Sequence, residues 1–154
     1  MKTMLVSAAV GLMAFGAASN ASAYYFTPKN TTIQATGSVT VAGHTTLVCG
    51  TDMTLQTTPA VTVTAVTFKG PNCGGMVATG LPWHLGDRGP HAFAISGFGL
   101  MSTANGTCGP NTVPGGLSIN GKMSFAGVAV RPCSLTGTLE TSPRLTISGK
   151  ANPN

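Results

Sequence analysis

From Thr31 onward, apolar and polar residues alternate along the chain in steps of two. Val61, Val63 and Ala65 share one parity, with Thr62 and Thr64 on the other; the pattern then slips, and Val66 and Phe68 become the apolar positions. Met123, Phe125 and Gly127, followed by Val128 and Val130, repeat both the alternation and the slip. Side chains of a strand point alternately to opposite faces, so this pattern predicts strands with one buried face. A one-residue slip predicts a bulge, or a strand that passes from one sheet face to the other. The same reading places further strands over residues 31–41, 46–55, 91–100, 117–119 and 145–148. Gly70-Pro71-Asn72, Gly109-Pro110-Asn111 and Pro114-Gly115-Gly116 punctuate the intervals as turns. No segment after residue 23 sustains a helical period. Short strands at this spacing predict an all-β domain, either an Ig-like or Greek-key β-sandwich or, as the alternative, a barrel.

Residues 61–69 and 123–131 align without a gap, and each apolar strand ends in a basic residue, Lys69 or Arg131. A proline and then a cysteine follow in both, at Pro71 and Cys73 and at Pro132 and Cys133. This reads as an internal pseudo-repeat with halves at about residues 37–90 and 91–148 of one domain spanning 24–148; coincidence among Thr/Val-rich strands is the competing explanation.

Residues 1–23 have a different character. Lys2 precedes an apolar stretch from Met4 to Ala18, which ends in the small residues Ala21-Ser22-Ala23. This is the form of a cleaved signal peptide, with Tyr24 as the first residue of the mature chain. The stretch is too short and glycine-broken for a comfortable span of about 30 Å of hydrocarbon, and no later segment resembles a membrane span. The expected location is extracellular or at the cell surface, with the periplasm as the alternative. Residues 149–154 read as a loose polar tail.

Export gives the cysteines a meaning. Cys49, Cys73, Cys108 and Cys133 are an even set in an oxidising compartment and are expected to form two disulfides. Three pairings are open in principle. The spacings favour Cys49–Cys73 and Cys108–Cys133, which would close loops of nearly equal length. No cysteine pair has the short spacing of a zinc site.

Charge is sparse. The whole chain carries 8 Lys and Arg against 3 Asp and Glu. The basic residues are scattered singly, without the stripe that marks a nucleic-acid binder. Asp52, Asp87 and Glu140 stand far apart in sequence, and no nucleophile elbow, zincin helix motif or phosphate loop is present. The reading is therefore non-enzymatic, with no cofactor and no metal. The sequons at Asn30 and Asn105 matter only in a glycosylating pathway.

Two segments stand out as candidates. The first, from Gly80 to His91, holds the lone tryptophan, and its candidate residues are Leu81, Pro82, Trp83, His84, Asp87 and Arg88. It reads as a ligand or interface loop anchored by Trp83, or as a core plug with a solvated Asp87-Arg88 turn; a single large aromatic in a small β-domain favours the plug. The second is the aromatic N-terminal arm with Tyr24, Tyr25, Phe26 and Ile33. It is either the domain's own edge strand or an arm that adds to a neighbouring copy's sheet.

A family resemblance rests on several of these motifs together. Phe26-Thr27-Pro28-Lys29-Asn30-Thr31, Ala35-Thr36-Gly37 and the isolated Cys49 resemble the PraB-type alkane oxidation activators of bacteria. So do the strand Val63–Phe68 before Cys73, Ala78-Thr79-Gly80-Leu81-Pro82-Trp83, Cys108-Gly109-Pro110, Cys133-Ser134-Leu135-Thr136-Gly137 and Thr141-Ser142-Pro143. The likeness spans most of the chain after residue 23. It implies a secreted accessory of growth on long-chain alkanes, promoting hydrocarbon dispersion or uptake, and it implies no active-site residue. The expected partner is a hydrocarbon or lipid-like surface. Self-association into extracellular fibres or biofilm matrix is the alternative.

Overall fold

The computed structural model describes residues 24–149; the expected signal peptide and residues 150–154 of the expected tail lie outside them. Among the described residues there are eleven strands: β1 (Tyr24–Thr27), β2 (Thr32–Ala42), β3 (Thr46–Gln56), β4 (Thr62–Lys69), β5 (Val77–Thr79), β6 (Trp83–Asp87), β7 (Ala92–Ser102), β8 (Gly106–Leu117), β9 (Lys122–Val130), β10 (Cys133–Ser142) and β11 (Thr146–Gly149). The expected all-β class holds.

The layer arrangement differs from the sandwich expectation. β7 bonds to β6 on one edge and to β8 on the other, and β10 returns to β2. The sheet therefore closes into an eight-stranded barrel with β5 as an extra strand. Around the barrel the strands follow chain order, as in an up-and-down barrel; no Greek-key crossover occurs among them. Each strand turns directly into its spatial neighbour, so no second layer is needed to cover the apolar faces: the sheet buries them against itself.

β5 and β6 lie on the same edge of β7, β5 against Gly99–Met101 and β6 against Phe93–Ser96. They are two pieces of one wall strand, interrupted at Gly80-Leu81-Pro82. β4 meets this broken strand at only two residue pairs, Thr62–His84 and Val63–Trp83, the shortest seam of the barrel together with β8–β9.

Both predicted slips are bulges. On β4, Ala65 faces Thr54 and Val63 faces Leu55, leaving Thr64 as the extra residue. On β9, Val128 faces Leu135 while Phe125 faces Gly137. Gly127 sits there at φ +65°, a left-handed conformation that glycine adopts without steric cost.

The expected strand over 117–119 is displaced. β8 ends at Leu117, and Ser118–Gly121 is a turn closed by the Gly121 amide donating to the Ser118 carbonyl. Of the glycine-proline clusters read as turns, Gly70-Pro71-Asn72 is one, whereas Gly109-Pro110-Asn111 and Pro114-Gly115-Gly116 lie inside β8. Gly115 explains one of them: a side chain there would strike the ring of Phe93, its partner on the neighbouring strand β7. The glycine keeps the strand in place and makes room for an aromatic.

The lumen is packed. Trp83 stacks on Phe98 with ring centroids 4.2 Å apart, and Phe93 meets Phe125 edge-on at 5.7 Å. Ile33, Leu55, Val63, Ile95, Met123 and Leu139 are fully buried around them. Outward positions on the β10–β2–β3 wall carry Thr138, Ser38, Thr36, Gln34 and Thr54 instead. This is the reverse of the polarity of a transmembrane barrel, whose apolar band faces outward. Among the described residues no helix is long and apolar enough to cross a membrane.

Candidate functional site

Strand direction assigns every turn to one of two ends. One end gathers the β2–β3 turn at Gly43–Thr45, the β4–β5 loop at Gly70–Met76, the β7–β8 turn at Thr103–Asn105 and the β9–β10 turn at Arg131-Pro132. Both disulfides lie there, Cys49–Cys73 and Cys108–Cys133, in the pairing that the loop lengths favour. The other end gathers the β3–β4, β6–β7 and β8–β9 turns, together with the paired first and last strands.

At the disulfide end, Asn105 ties two turns together. Its Oδ1 accepts from the Thr45 amide at 2.8 Å and from the Thr45 hydroxyl at 3.3 Å, and its own amide donates to the Ser102 hydroxyl at 3.0 Å. Because a backbone N–H can only donate, the side-chain amide must present its oxygen to Thr45. Nδ2 is then buried without a protein partner. Beside it lies a cleft of about 240 Å³ lined by Gly43, His44, Asn105, Pro132 and Cys133. A wider cleft of about 570 Å³ runs between Thr45, Thr46, Asn72, Gly75 and Thr103. The sequence drew notice to Asn105 only as a sequon; at 5% exposure it is a structural residue in this fold.

At the terminal end, β1 pairs antiparallel with β11 from Tyr24–Gly149 to Thr27–Thr146, forming a ribbon separate from the barrel sheet. Thr27 and Thr146 share a hydroxyl hydrogen bond of 2.9 Å, and the Lys29 ammonium lies 5.5 Å from the centre of the Tyr25 ring. Tyr24, Tyr25, Phe26, Lys29, Leu85 and Asp87 border a groove of about 230 Å³. Two sequence candidates thus meet here, the arm through its aromatics and the Gly80–His91 segment through Asp87.

The remaining candidates are dispersed. Trp83 is fully buried, and its indole N–H donates to the Thr79 carbonyl at 2.8 Å, so it is the core plug and cannot act as an exposed anchor. Leu81 is half-buried and Pro82 exposed at the break in the wall strand, while His84 points outward from β6. Arg88 begins the β6–β7 turn, where its amide donates to the Ala92 carbonyl. Asp87 and Arg88 do not pair with one another; the salt bridge among the described residues is Lys69–Asp52, at 2.8 Å. Ile33 is no part of a free arm: it is fully buried in β2, which is bonded to β10 and β3. Among the described residues no group of three or more His, Cys, Asp or Glu stands together as a metal would require.

The lumen itself leaves an apolar cavity of only about 10 Å³, lined by residues including Met53, Phe68, Trp83, Phe98 and Phe125. That is room for about one water molecule, where a small-molecule site needs about 300 Å³ or more. The exposed apolar side chains Val48, Val77, Met101 and Ile119 were missed as candidates. Val48 and Met101 were legible as outward positions next to the inward Leu47, Cys49 and Leu100.

Comparison with known proteins gives one match. The model of the family described as alkane oxidation protein activator, PraA/PraB-like, matches residues 1–149. No curated protein and no solved structure matches the chain.

Proposed function

The chain belongs to the PraA/PraB-like family of alkane oxidation activators, and from that premise we propose that it is an exported, non-catalytic accessory that acts on hydrocarbon through its outer surface. The filled lumen carries this reading. A barrel that helped alkane use by carrying an alkane would need an interior of several hundred Å³, and this one has about 10 Å³. What is left to meet hydrocarbon is the exterior, where adsorption to droplets would aid dispersion or uptake. Two disulfides suit a protein working outside the cytoplasm, and they keep a small fold intact at an interface that unfolds less restrained domains.

The test is adsorption of the purified mature protein to hexadecane droplets, with emulsion half-life as a second readout. The expected result is adsorption well above that of an unrelated disulfide-bonded β-domain. Equal performance would remove the proposal.

A second reading, a subunit of extracellular fibres or matrix, is favoured by one observation. β1 pairs with β11 alone, so its other edge has no strand bonded to it among the described residues. Such an edge can add to another copy's sheet. Size-exclusion and negative-stain microscopy distinguish the two; monomers that persist at high concentration would dismiss the fibre.

A further inference from the structure

Charge is distributed unequally along the barrel axis. The disulfide-end segments 43–45, 70–76 and 103–105 contain no Asp, Glu, Lys or Arg, and Arg131 is the only charged residue in that end's turns. Lys69, 70% exposed, ends β4 beside the 70–76 loop, but it is paired with Asp52 at 2.8 Å; the terminal end and its approaches carry Lys29, Asp87, Arg88, Lys122, Glu140 and Arg144, none of them in an ion pair among the described residues.

Exposed apolar side chains are distributed differently from charge. Val77 and Met101 are cross-strand partners on the wall beside the 70–76 loop, 47% and 45% exposed. Val48, 58% exposed, borders the same loop on its other side, where its carbonyl oxygen lies 3.4 Å from the Cys73 sulfur. The terminal end also exposes Tyr24, Tyr25 and Ile119, but there the neighbouring cations have no carboxylate partner among the described residues: Lys29 lies over Tyr25, and Lys122 follows Ile119 across one turn, whereas Lys69 beside Val48 is paired with Asp52.

We infer that the disulfide end, with the adjoining Val48, Val77 and Met101 wall, is the face that meets hydrocarbon, leaving the charged terminal end in water. This rests on the adsorption reading above and adds an orientation to it. An apolar liquid can accept glycine, threonine and exposed valine at small cost, whereas immersing a lysine or arginine head group is strongly unfavourable. The disulfide end, whose charges are Arg131 and the Lys69–Asp52 pair, is therefore the one whose transfer costs less. The disulfides stand where the orientation needs them: Cys49–Cys73 closes the loop between the apolar residues, and Cys108–Cys133 joins β8 to β10 at the same end. Loops held this way can touch oil without opening the core behind them.

Two triple variants test the orientation by their partition between buffer and hexadecane droplets. Val48→Lys, Val77→Lys and Met101→Lys together are expected to lower the partition ratio at least about tenfold. Tyr24→Lys, Tyr25→Lys and Ile119→Lys together are expected to change it less than about twofold. All six positions are exposed; should the first variant lose its native circular dichroism, serine at the same three positions replaces lysine and is expected to give a smaller loss in the same direction. Equal losses, or a larger loss from the terminal-end variant, would overturn the orientation while leaving adsorption in place. Wild-type protein that adsorbs no better than an unrelated β-domain would remove the adsorption reading and the orientation with it.

Discussion

At one end of the barrel the turns are bolted covalently: Cys73 and Cys133 tie the segments after β4 and β9 back to β3 and β8. At the other, the chain is held by pairing and hydrogen bonds. β1 zips to β11, and Thr141 donates its hydroxyl to the Gly121 carbonyl at 2.6 Å while accepting from the Leu145 amide at 2.9 Å. The local sequences account for the difference. Gly70-Pro71-Asn72-Cys73-Gly74-Gly75 has little apolar surface to bury and little conformational preference to hold it, and glycine loses more freedom on ordering than any other residue. Such a loop stays put only when crosslinked. Thr141-Ser142-Pro143-Arg144-Leu145 contains a fully buried leucine and a satisfied threonine, and holds without a crosslink.

The largest expected effect follows directly. Replacing Cys49 and Cys73 by alanine opens a loop with a sequence separation of 24, and replacing Cys108 and Cys133 opens one of 25; each should lower stability by about 3 kcal/mol. Urea unfolding of the two double variants is the measurement. Hydrogen exchange in either should quicken first in the disulfide-end turns, with the β1–β11 ribbon unchanged. A loss below about 1 kcal/mol in both would show that the two ends do not differ as described.

A smaller contrast concerns one buried, hydrogen-bonded polar side chain at each end. Thr141 has its hydroxyl fully used, so Thr141→Val strands the Leu145 amide and should cost about 2 kcal/mol. Asn105 has an orphan Nδ2 already, so Asn105→Ala loses the Thr45 contacts but also removes an unsatisfied donor; about 1 kcal/mol is expected. Urea midpoints of the two variants should fall in that order. The reverse order would mean that Nδ2 is satisfied in solution, with an internal water as the simplest partner.

Much of this architecture was legible in the sequence, and the failures have physical causes. The slips at Ala65–Val66 and Gly127–Val128 pointed to both bulges, because a two-residue period changes phase only where a strand gains an extra residue or passes to the other sheet face. The disulfide pairing showed in the loop lengths. Closure did not show: whether β7 meets β8 or faces it across a second layer depends on twist and register, which alternation does not encode. β8 was lost because its glycines and prolines mimic turns, although Gly115 is there for Phe93. β10 was overlooked despite alternating Cys133, Leu135, Leu139 and Thr141 as inward positions. The candidate loop dissolved for a similar reason: period-two geometry sends Trp83 and Leu85 inward and His84 outward, so residues adjacent in sequence cannot share a site.

Among the smallest effects expected is the most direct probe of the terminal end. Deleting residues 24–27 removes β1, its four residue pairs with β11, the Thr27–Thr146 hydrogen bond and the half-buried Phe26. A two-stranded ribbon is marginal by itself, and this one adds to the core only through the partly buried Phe26 and Ile147. The barrel closes through β10–β2 and β7–β8, neither of which involves β1. The truncated protein should therefore keep its barrel and lose only about 1 kcal/mol, well under the loss from either disulfide. Amides of Thr146–Gly149 should exchange freely while those of β2 and β10 stay protected, because the ribbon can open without the sheet opening. Truncation that costs as much as a disulfide, or that melts the barrel, would mean that the ribbon carries the terminal end and that the contrast between covalent and non-covalent closure is misdrawn.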